Sequence, residues 1–213
     1  MSSLIINEIF YSIQGESLNT GQPTIFVRLT GCPLRCLYCD TDYAFNEGNQ
    51  MSFKEILTRI NTYKCNKIMI TGGEPLSQKN ILSLMKMLSD NGFSVSIETS
   101  NAINISQIDK RVTIILDVKT PGSGEEKRNL SNNYEYLKSS DQIKFVICNQ
   151  KDYEWSKEYI ANYKLFDKCE VLMSPCYETM NVKQLAENIL KDSLPARLQI
   201  QLHKFIWGEQ RGK

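Results

Sequence analysis

The stretch Lys67-Ile68-Met69-Ile70-Thr71-Gly72-Gly73-Glu74-Pro75 opens on an apolar run and breaks at paired glycines. Ile81, Leu84, Met85 and Leu88 then recur at helical spacing, Asn91-Gly92 stops the helix, and Ser94–Glu98 begins a second apolar run. Strand, turn, helix and strand in that order make a parallel unit with a right-handed crossover. The same alternation extends both ways. Further strands are expected at Leu4–Ile13, Thr24–Leu29, Val112–Val118, Gln142–Ile147, Glu170–Met173 and Arg197–Leu202. Further helices are expected where Phe53, Ile56, Leu57 and Ile60, and then Val182, Leu185, Ala186 and Ile189, recur. Ser52 and Glu55 form a capping box before the first of these. The fold class is therefore α/β with a mostly parallel sheet. Its 213 residues fall short of the roughly 250 of a closed eightfold barrel. A partial, open (β/α) barrel fits, and a doubly wound sheet is the alternative that the pattern leaves open.

Composition narrows the function classes. Twenty-five basic against 24 acidic residues give a net charge of +1, which argues against a broad nucleic-acid or membrane footprint. No run of about 18 apolar residues occurs, so no transmembrane helix is expected. The N-terminus lacks a basic region before its first acid, Glu8, and the chain is expected to be cytoplasmic. No repeat, low-complexity block or Pro/Gly-rich linker divides it, so residues 1–213 read as a single domain.

Polar residues gather where the expected strands end: Thr71–Glu74, Glu98–Asn101, Asp117–Thr120, Ser174-Pro175 and Gln201–Lys204. Barrel enzymes build their sites at these ends, so the five tips should converge on one pocket.

Gly31-Cys32-Pro33-Leu34-Arg35-Cys36-Leu37-Tyr38-Cys39-Asp40 sets three of the chain's seven cysteines on one loop after a strand. A disulfide framework is not expected in a cytoplasmic chain of this size. Closed zinc sites need a fourth ligand, yet the one histidine, His203, is remote in sequence and no second C-x2-C exists. A redox C-x2-C pair leaves one thiol unexplained. A [4Fe–4S] cluster with three thiolates and one open iron uses all three. Cys65, Cys148, Cys169 and Cys176 read as small apolar residues.

C-x3-C-x2-C with an aromatic residue before the last cysteine, followed about thirty residues later by Gly72-Gly73-Glu74-Pro75, resembles the radical S-adenosylmethionine superfamily. The resemblance implies that Cys32, Cys36 and Cys39 hold three irons while the fourth chelates S-adenosylmethionine. Reductive cleavage would then give a 5′-deoxyadenosyl radical that abstracts a substrate hydrogen. The flanks resemble one family within it, the 7-carboxy-7-deazaguanine synthases. These flanks are Ile13-Gln14-Gly15-Glu16, Phe26–Cys32 with Arg28, Cys39-Asp40-Thr41 and Gln201-Leu202-His203-Lys204, and the similarity spans about residues 4–205.

That family resemblance implies ring contraction of 6-carboxy-5,6,7,8-tetrahydropterin to 7-carboxy-7-deazaguanine with loss of ammonia, on the route to queuosine and other 7-deazapurines. The substrate would be lined by Ile13, Gln14, Gly15, Glu16, Thr71 and His203, with Arg28 on its carboxylate. S-adenosylmethionine would meet Tyr38, Cys39, Asp40, Gly73, Glu74, Ser100, Asp117, Val118 and Lys119, and the stretch Met173, Ser174, Pro175 and Cys176. Thr99 would join it at its strand tip, and Thr41 would bind Mg2+. A homodimer and a flavodoxin or ferredoxin reductant are also implied.

The sequence departs from the family in places. Asp117-Val118-Lys119 stands where many members have Ser-Pro-Lys, and Phe205–Lys213 replaces a terminal proline. Segment Thr120–Asn133, rich in Gly, Ser and charge, is expected to be a mobile loop at the pocket mouth. The rival readings are an activating enzyme for a glycyl-radical partner and a zinc-stabilised binding protein. Asp40-Thr41 and the Gln14–Glu16 segment oppose the first, and Gly72–Pro75 with the polar strand tips opposes the second.

Overall fold

A computed structural model describes residues 2–213. Among the described residues nine strands form one sheet: β1 Ser3–Ile13, β2 Pro23–Leu29, β3 Asn49–Ser52, β4 Lys67–Gly72, β5 Ser94–Ser100, β6 Thr113–Val118, β7 Gln142–Ile147, β8 Glu170–Pro175 and β9 Arg197–Leu198. Their order is β3-β1-β2-β4-β5-β6-β7-β8-β9. β1 pairs antiparallel with β2 and β3, and every ladder from β2 to β9 is parallel. The edge strands β3 and β9 do not meet, so the barrel stays open.

Alternation along the strands assigns the two faces of the sheet. Ile25 and Val27 on β2, Ile68 and Ile70 on β4, Ile114 and Leu116 on β6, and Ile143 and Phe145 on β7 share one core with the helices. From α1 (Phe53–Ile60) come Ile56 and Ile60; from α2 (Ile81–Asp90), Leu84, Met85 and Leu88. From α3 (Gln150–Tyr163) come Tyr153 and Ile160, and from α4 (Val182–Lys191), Leu185 and Ile189. One contiguous cluster therefore carries α1 to α4, which is the single-sided covering of a partial barrel rather than a doubly wound sheet. Residues of opposite parity, Arg28, Thr71, Glu98, Asp117, Lys144 and Ser174, face the lumen. Met69, Ile115 and Leu172, two positions earlier on their strands, are buried beneath them.

Local signals fix the helix ends. Ser52 accepts from Glu55 N while the Glu55 carboxylate accepts from Ser52 N, completing the capping box. Gly92 takes φ +82°, the left-handed cap that ends α2, and Phe93 N donates back to Leu88 O.

Two expectations are corrected. The strand expected over Arg197–Leu202 pairs only at Arg197 and Leu198, and Leu202–Trp207 is a short helix, α5. Leu202 N donates to Gly15 O, so this segment leaves the sheet to cross the lumen. Residues 120–133 are not an open loop but three short 3-10 turns. Asn129 brackets Lys119 by accepting from its N–H and donating to its carbonyl, and Asp152 on α3 accepts from Gly122 N and Cys148 N.

Candidate active site

A cavity of about 500 Å³ opens at the C-terminal ends of β2 and β4 to β8. All five polar strand tips reach its wall, and the three clustered cysteines line one side. The cysteine loop is preorganised. Leu34 is buried beneath it, Leu37 N donates to Ser123 O, Arg35 N donates to the Glu125 carboxylate, and Arg35 stacks over Phe45. Cys32, Cys36 and Cys39 are free, half-buried thiols. Burial pushes all three up, Cys36 to about 11.

The paired glycines do more for the protein's own backbone than for a ligand. Gly72, at φ +147°, would place a Cβ 2.3 Å from Leu29 O, and Gly73 would place one 2.3 Å from Gly31 O. Both permit the end of β4 to lie on the end of β2 and on the cysteine loop, where Gly73 N donates to Leu29 O and Glu74 N to Gly31 O. Glu74 does not reach the cavity wall. It is fully buried, and its carboxylate accepts from Leu76 N, Thr99 Oγ1, Ser100 N and Ser100 Oγ at 2.6–2.9 Å. Burial pushes its pKa up and these four donors oppose the shift. The expected cofactor contact is thus a clamp that sets Thr99 and Ser100 in the wall.

The side chains of Val118 and Met173 are also outside the cavity, buried in the core on the helix side. Strand alternation explains both: Asp117 and Lys119 flank Val118 and face inward, as does Ser174 after Met173. Asp117 accepts from Lys119 Nζ at 2.7 Å; burial would lower the lysine's pKa, but Asp117 together with Tyr38 and Cys36 outweighs it and raises the lysine's pKa well above its ordinary value.

Ile13, Gln14, Gly15 and Glu16 form the opposite wall with Arg28, Thr71 and His203. Arg28 Nε donates to Glu8 at 2.8 Å, leaving the rest of its fork for the cavity. Gly15 is the seat of His203: a Cβ there would lie 2.0 Å from Nδ1. Burial lowers the histidine's pKa, with Glu16 and Asp40 opposing. Gln201 donates to Glu16 at 2.9 Å, and Lys204 pairs with Asp40 at 3.0 Å. Burial would raise Asp40, yet the Lys204 ammonium holds it down at about 2. Thr41, also in the wall, donates to Asp40 at 2.9 Å. Beyond α5 the chain folds back: Arg211 pairs with Glu47 and lies over Tyr43, and Glu209 and Lys213 reach the cavity rim.

Sequence reasoning placed Glu98 at a strand tip without a role and missed Lys144. Both line the cavity, and Lys144 Nζ donates to both Glu16 and Glu98. The available signal was a lone lysine inside the apolar run Gln142–Ile147.

Comparison with known proteins agrees with this geometry. Residues 26–118 match the model of the Radical SAM superfamily. The 7-carboxy-7-deazaguanine synthase of Chlorobaculum tepidum is 40% identical over 96% of this chain and 94% of its own. That of Methanospirillum hungatei is 41% identical over 96% of this chain and 86% of its own. The chain belongs to the 7-carboxy-7-deazaguanine synthase family. The crystal structure of QueE from Escherichia coli superposes with a TM-score of 0.79 at 26% identity, covering 94% of this chain and 95% of that one.

Membership of the radical SAM superfamily implies a [4Fe–4S] cluster and S-adenosylmethionine as cofactors. The residues fit both. Thiols whose pKa burial has raised are deprotonated by a cationic iron centre, and three on one loop give it three soft ligands. Asp117 Oδ1 and Tyr38 OH are buried at the cavity without a hydrogen-bond partner. Orphaned polar atoms of this kind call for a polar ligand. Among the described residues no three His, Cys, Asp or Glu side chains close round a single metal ion.

Proposed function

We propose that this chain converts 6-carboxy-5,6,7,8-tetrahydropterin to 7-carboxy-7-deazaguanine and ammonia by radical S-adenosylmethionine chemistry. The observation that carries this is the single cavity that joins the cysteine loop, the strand tips, Gln14–Glu16 and His203. Cys32, Cys36 and Cys39 would hold the cluster. Tyr38, Cys39, Asp40, Gly73, Ser100, Asp117, Lys119 and Ser174–Cys176 would hold S-adenosylmethionine. When bound, the reduced cluster and S-adenosylmethionine supply the one-electron chemistry that breaks an unactivated C–H bond.

The chain's own groups bind and orient the pterin. Glu16 accepts from its amino-pyrimidine N–H edge, and the free part of the Arg28 fork meets its carboxylate. Thr71 and His203 close the remaining sides. His203 and Lys204 of α5, with Glu209 and Lys213 of the C-terminal segment, line the lumen and would limit water around the reacting carbon. Mg2+ would sit at Thr41, with substrate oxygens and water completing its shell. The enzyme would work in the cytoplasm as a single-domain protomer of a homodimer, reduced by a flavodoxin or ferredoxin.

The test is anaerobic turnover of cluster-reconstituted protein with reductant, Mg2+, S-adenosylmethionine and 6-carboxytetrahydropterin, read by mass spectrometry. 7-Carboxy-7-deazaguanine that depends on S-adenosylmethionine is expected. 5′-Deoxyadenosine without that product would overturn the substrate assignment.

A further inference from the structure

Lys144 stands mid-strand in β7, between Ile143 and Phe145, whose side chains enter the helix-covered core. Its own side chain points into the lumen and is only 7% exposed. Nζ donates to Glu16 Oε2 at 2.7 Å and to Glu98 Oε1, so it bridges the wall after β1 to the end of β5 across β6. Glu16 Oε1 accepts from Gln201 at 2.9 Å. Each carboxylate oxygen thus has one protein donor and keeps a lone pair for a ligand. The other charged groups facing this cluster are Asp117 on β6, His203 and Lys204 on α5, and Asp40 after the cysteine loop.

A lysine drawn out of water between two carboxylates is a poor stabiliser, because desolvation offsets most of its Coulombic gain. Its geometry has a use in recognition. A buried carboxylate without a cation protonates, and a protonated Glu16 presents an O–H where the amino-pyrimidine edge needs an acceptor. Glu98 beside it makes this worse, as two like charges in one site favour a shared proton.

We propose that Lys144 is a positioning residue for pterin recognition, holding Glu16 ionised and aimed into the cavity while Glu98 takes up its remaining valence. This rests on the reading of Glu16 as the pterin's acceptor. Burial would raise Glu16, but the Lys144 ammonium, helped by His203 and Gln201, brings it below the ordinary carboxylate range. Burial raises Glu98 despite the same lysine. The sign for a variant without the cation follows. Glu16 keeps its burial and its repulsion from Glu98, its pKa climbs, and substrate affinity falls as pH drops.

The experiment uses anaerobic, cluster-loaded holoenzyme with 6-carboxytetrahydropterin, measuring kcat and KM from about pH 6 to 8.5 and the pterin Kd by equilibrium dialysis. Lys144→Met is expected to raise KM and Kd about ten- to hundredfold, the size of one charge-assisted hydrogen bond. Its kcat should stay within about threefold of the unmodified enzyme. KM should worsen toward low pH only in the variant, and Lys144→Arg should restore most of the affinity. Because Lys144 acts through Glu16, Lys144→Met/Glu16→Gln should be no weaker than Glu16→Gln alone. A lowered kcat at unchanged KM, or additive losses in the double variant, would overturn the proposal. Cluster absorbance and S-adenosylmethionine binding report folding. Should the methionine variant fail there, Lys144→Gln carries the same expectations and the same overturning results. Absence of product from the unmodified enzyme would instead sink the substrate reading itself.

Discussion

Lys204 Nζ lies 3.0 Å from Asp40 Oδ2, tying the C-terminal helix to the residue that follows the third cysteine. Lys204 is itself nearly buried, stacked 4.5 Å from the Tyr177 ring centroid. Gln201, one turn earlier, holds Glu16. The pair therefore docks the wall proposed for the pterin onto the wall proposed for S-adenosylmethionine. Lys204→Met should cost about 1 kcal/mol of stability, a fall in Tm of about 2–4 °C for a chain of this size. The KM for the pterin should rise severalfold. An unchanged KM with the same fall in Tm would show that α5 is fastened without the ion pair.

Gly15→Ala tests the seat of His203. The added methyl would lie 2.0 Å from Nδ1 and under 3 Å from Cγ and Cβ, so the imidazole must leave its place. KM for 6-carboxytetrahydropterin should rise tenfold or more, about the worth of one good hydrogen bond. S-adenosylmethionine affinity should be unchanged. Equal weakening of both ligands in equilibrium dialysis would contradict the division of the cavity into two walls.

Cys36→Ala removes one of the three thiols that face the cavity, and two thiolates do not hold the cubane. Iron content and cluster absorbance after reconstitution should fall to background. Cys65→Ala, whose thiol donates to Pro23 O away from the cavity, should load normally. A retained cluster spectrum with full turnover in Cys36→Ala would refute the ligand assignment.

Thr41→Ala tests the magnesium reading. The hydroxyl donates to Asp40 and borders the cavity, so its loss should flatten the dependence of turnover on Mg2+. An Mg2+ titration with an unchanged midpoint and amplitude would remove Thr41 from the site.

Much of this arrangement was legible in the chain. The apolar runs and the Ile81–Leu88 spacing gave the parallel core, because fully buried strands and amphipathic helices have distinct periods. What escaped had weaker patterns. α3 buries Tyr153 and packs Trp155 and Tyr159 among charges, so its apolar face is aromatic rather than a row of aliphatic residues. β3 is a polar edge strand of four residues. Leu198, Ile200 and Leu202 alternate like a strand, but the chain turns to donate to Gly15 O. Lys144 was missed because a strand buried on both faces does not announce which side is a lumen, and Glu98 was legible only as a polar residue near a strand end. The family resemblance implies cofactor contacts at Glu74, Val118 and Met173, and strand parity or local hydrogen bonding turns the side chain of each away from the cavity.

Glu74 offers the sharpest separation between a ligand contact and a clamp. Its Oε1 accepts from Leu76 N and Thr99 Oγ1, and its Oε2 from Ser100 N and Ser100 Oγ. Each oxygen therefore answers one main-chain N–H. A glutamine amide, whichever way it is turned, must set its NH2 against one of those fixed donors, so Glu74→Gln is not conservative here. Leaving a buried donor unmet costs about 1–3 kcal/mol, which for a chain of this size lowers Tm by about 2–4 °C per kcal/mol. Thr99 and Ser100 would shift with it, and S-adenosylmethionine binding should weaken in step with the loss of stability. Differential scanning fluorimetry of the protein beside equilibrium dialysis with S-adenosylmethionine reads both quantities. If affinity fell more than tenfold while Tm stood still, the carboxylate would be touching the ligand, and the clamp would be the wrong account of this glutamate.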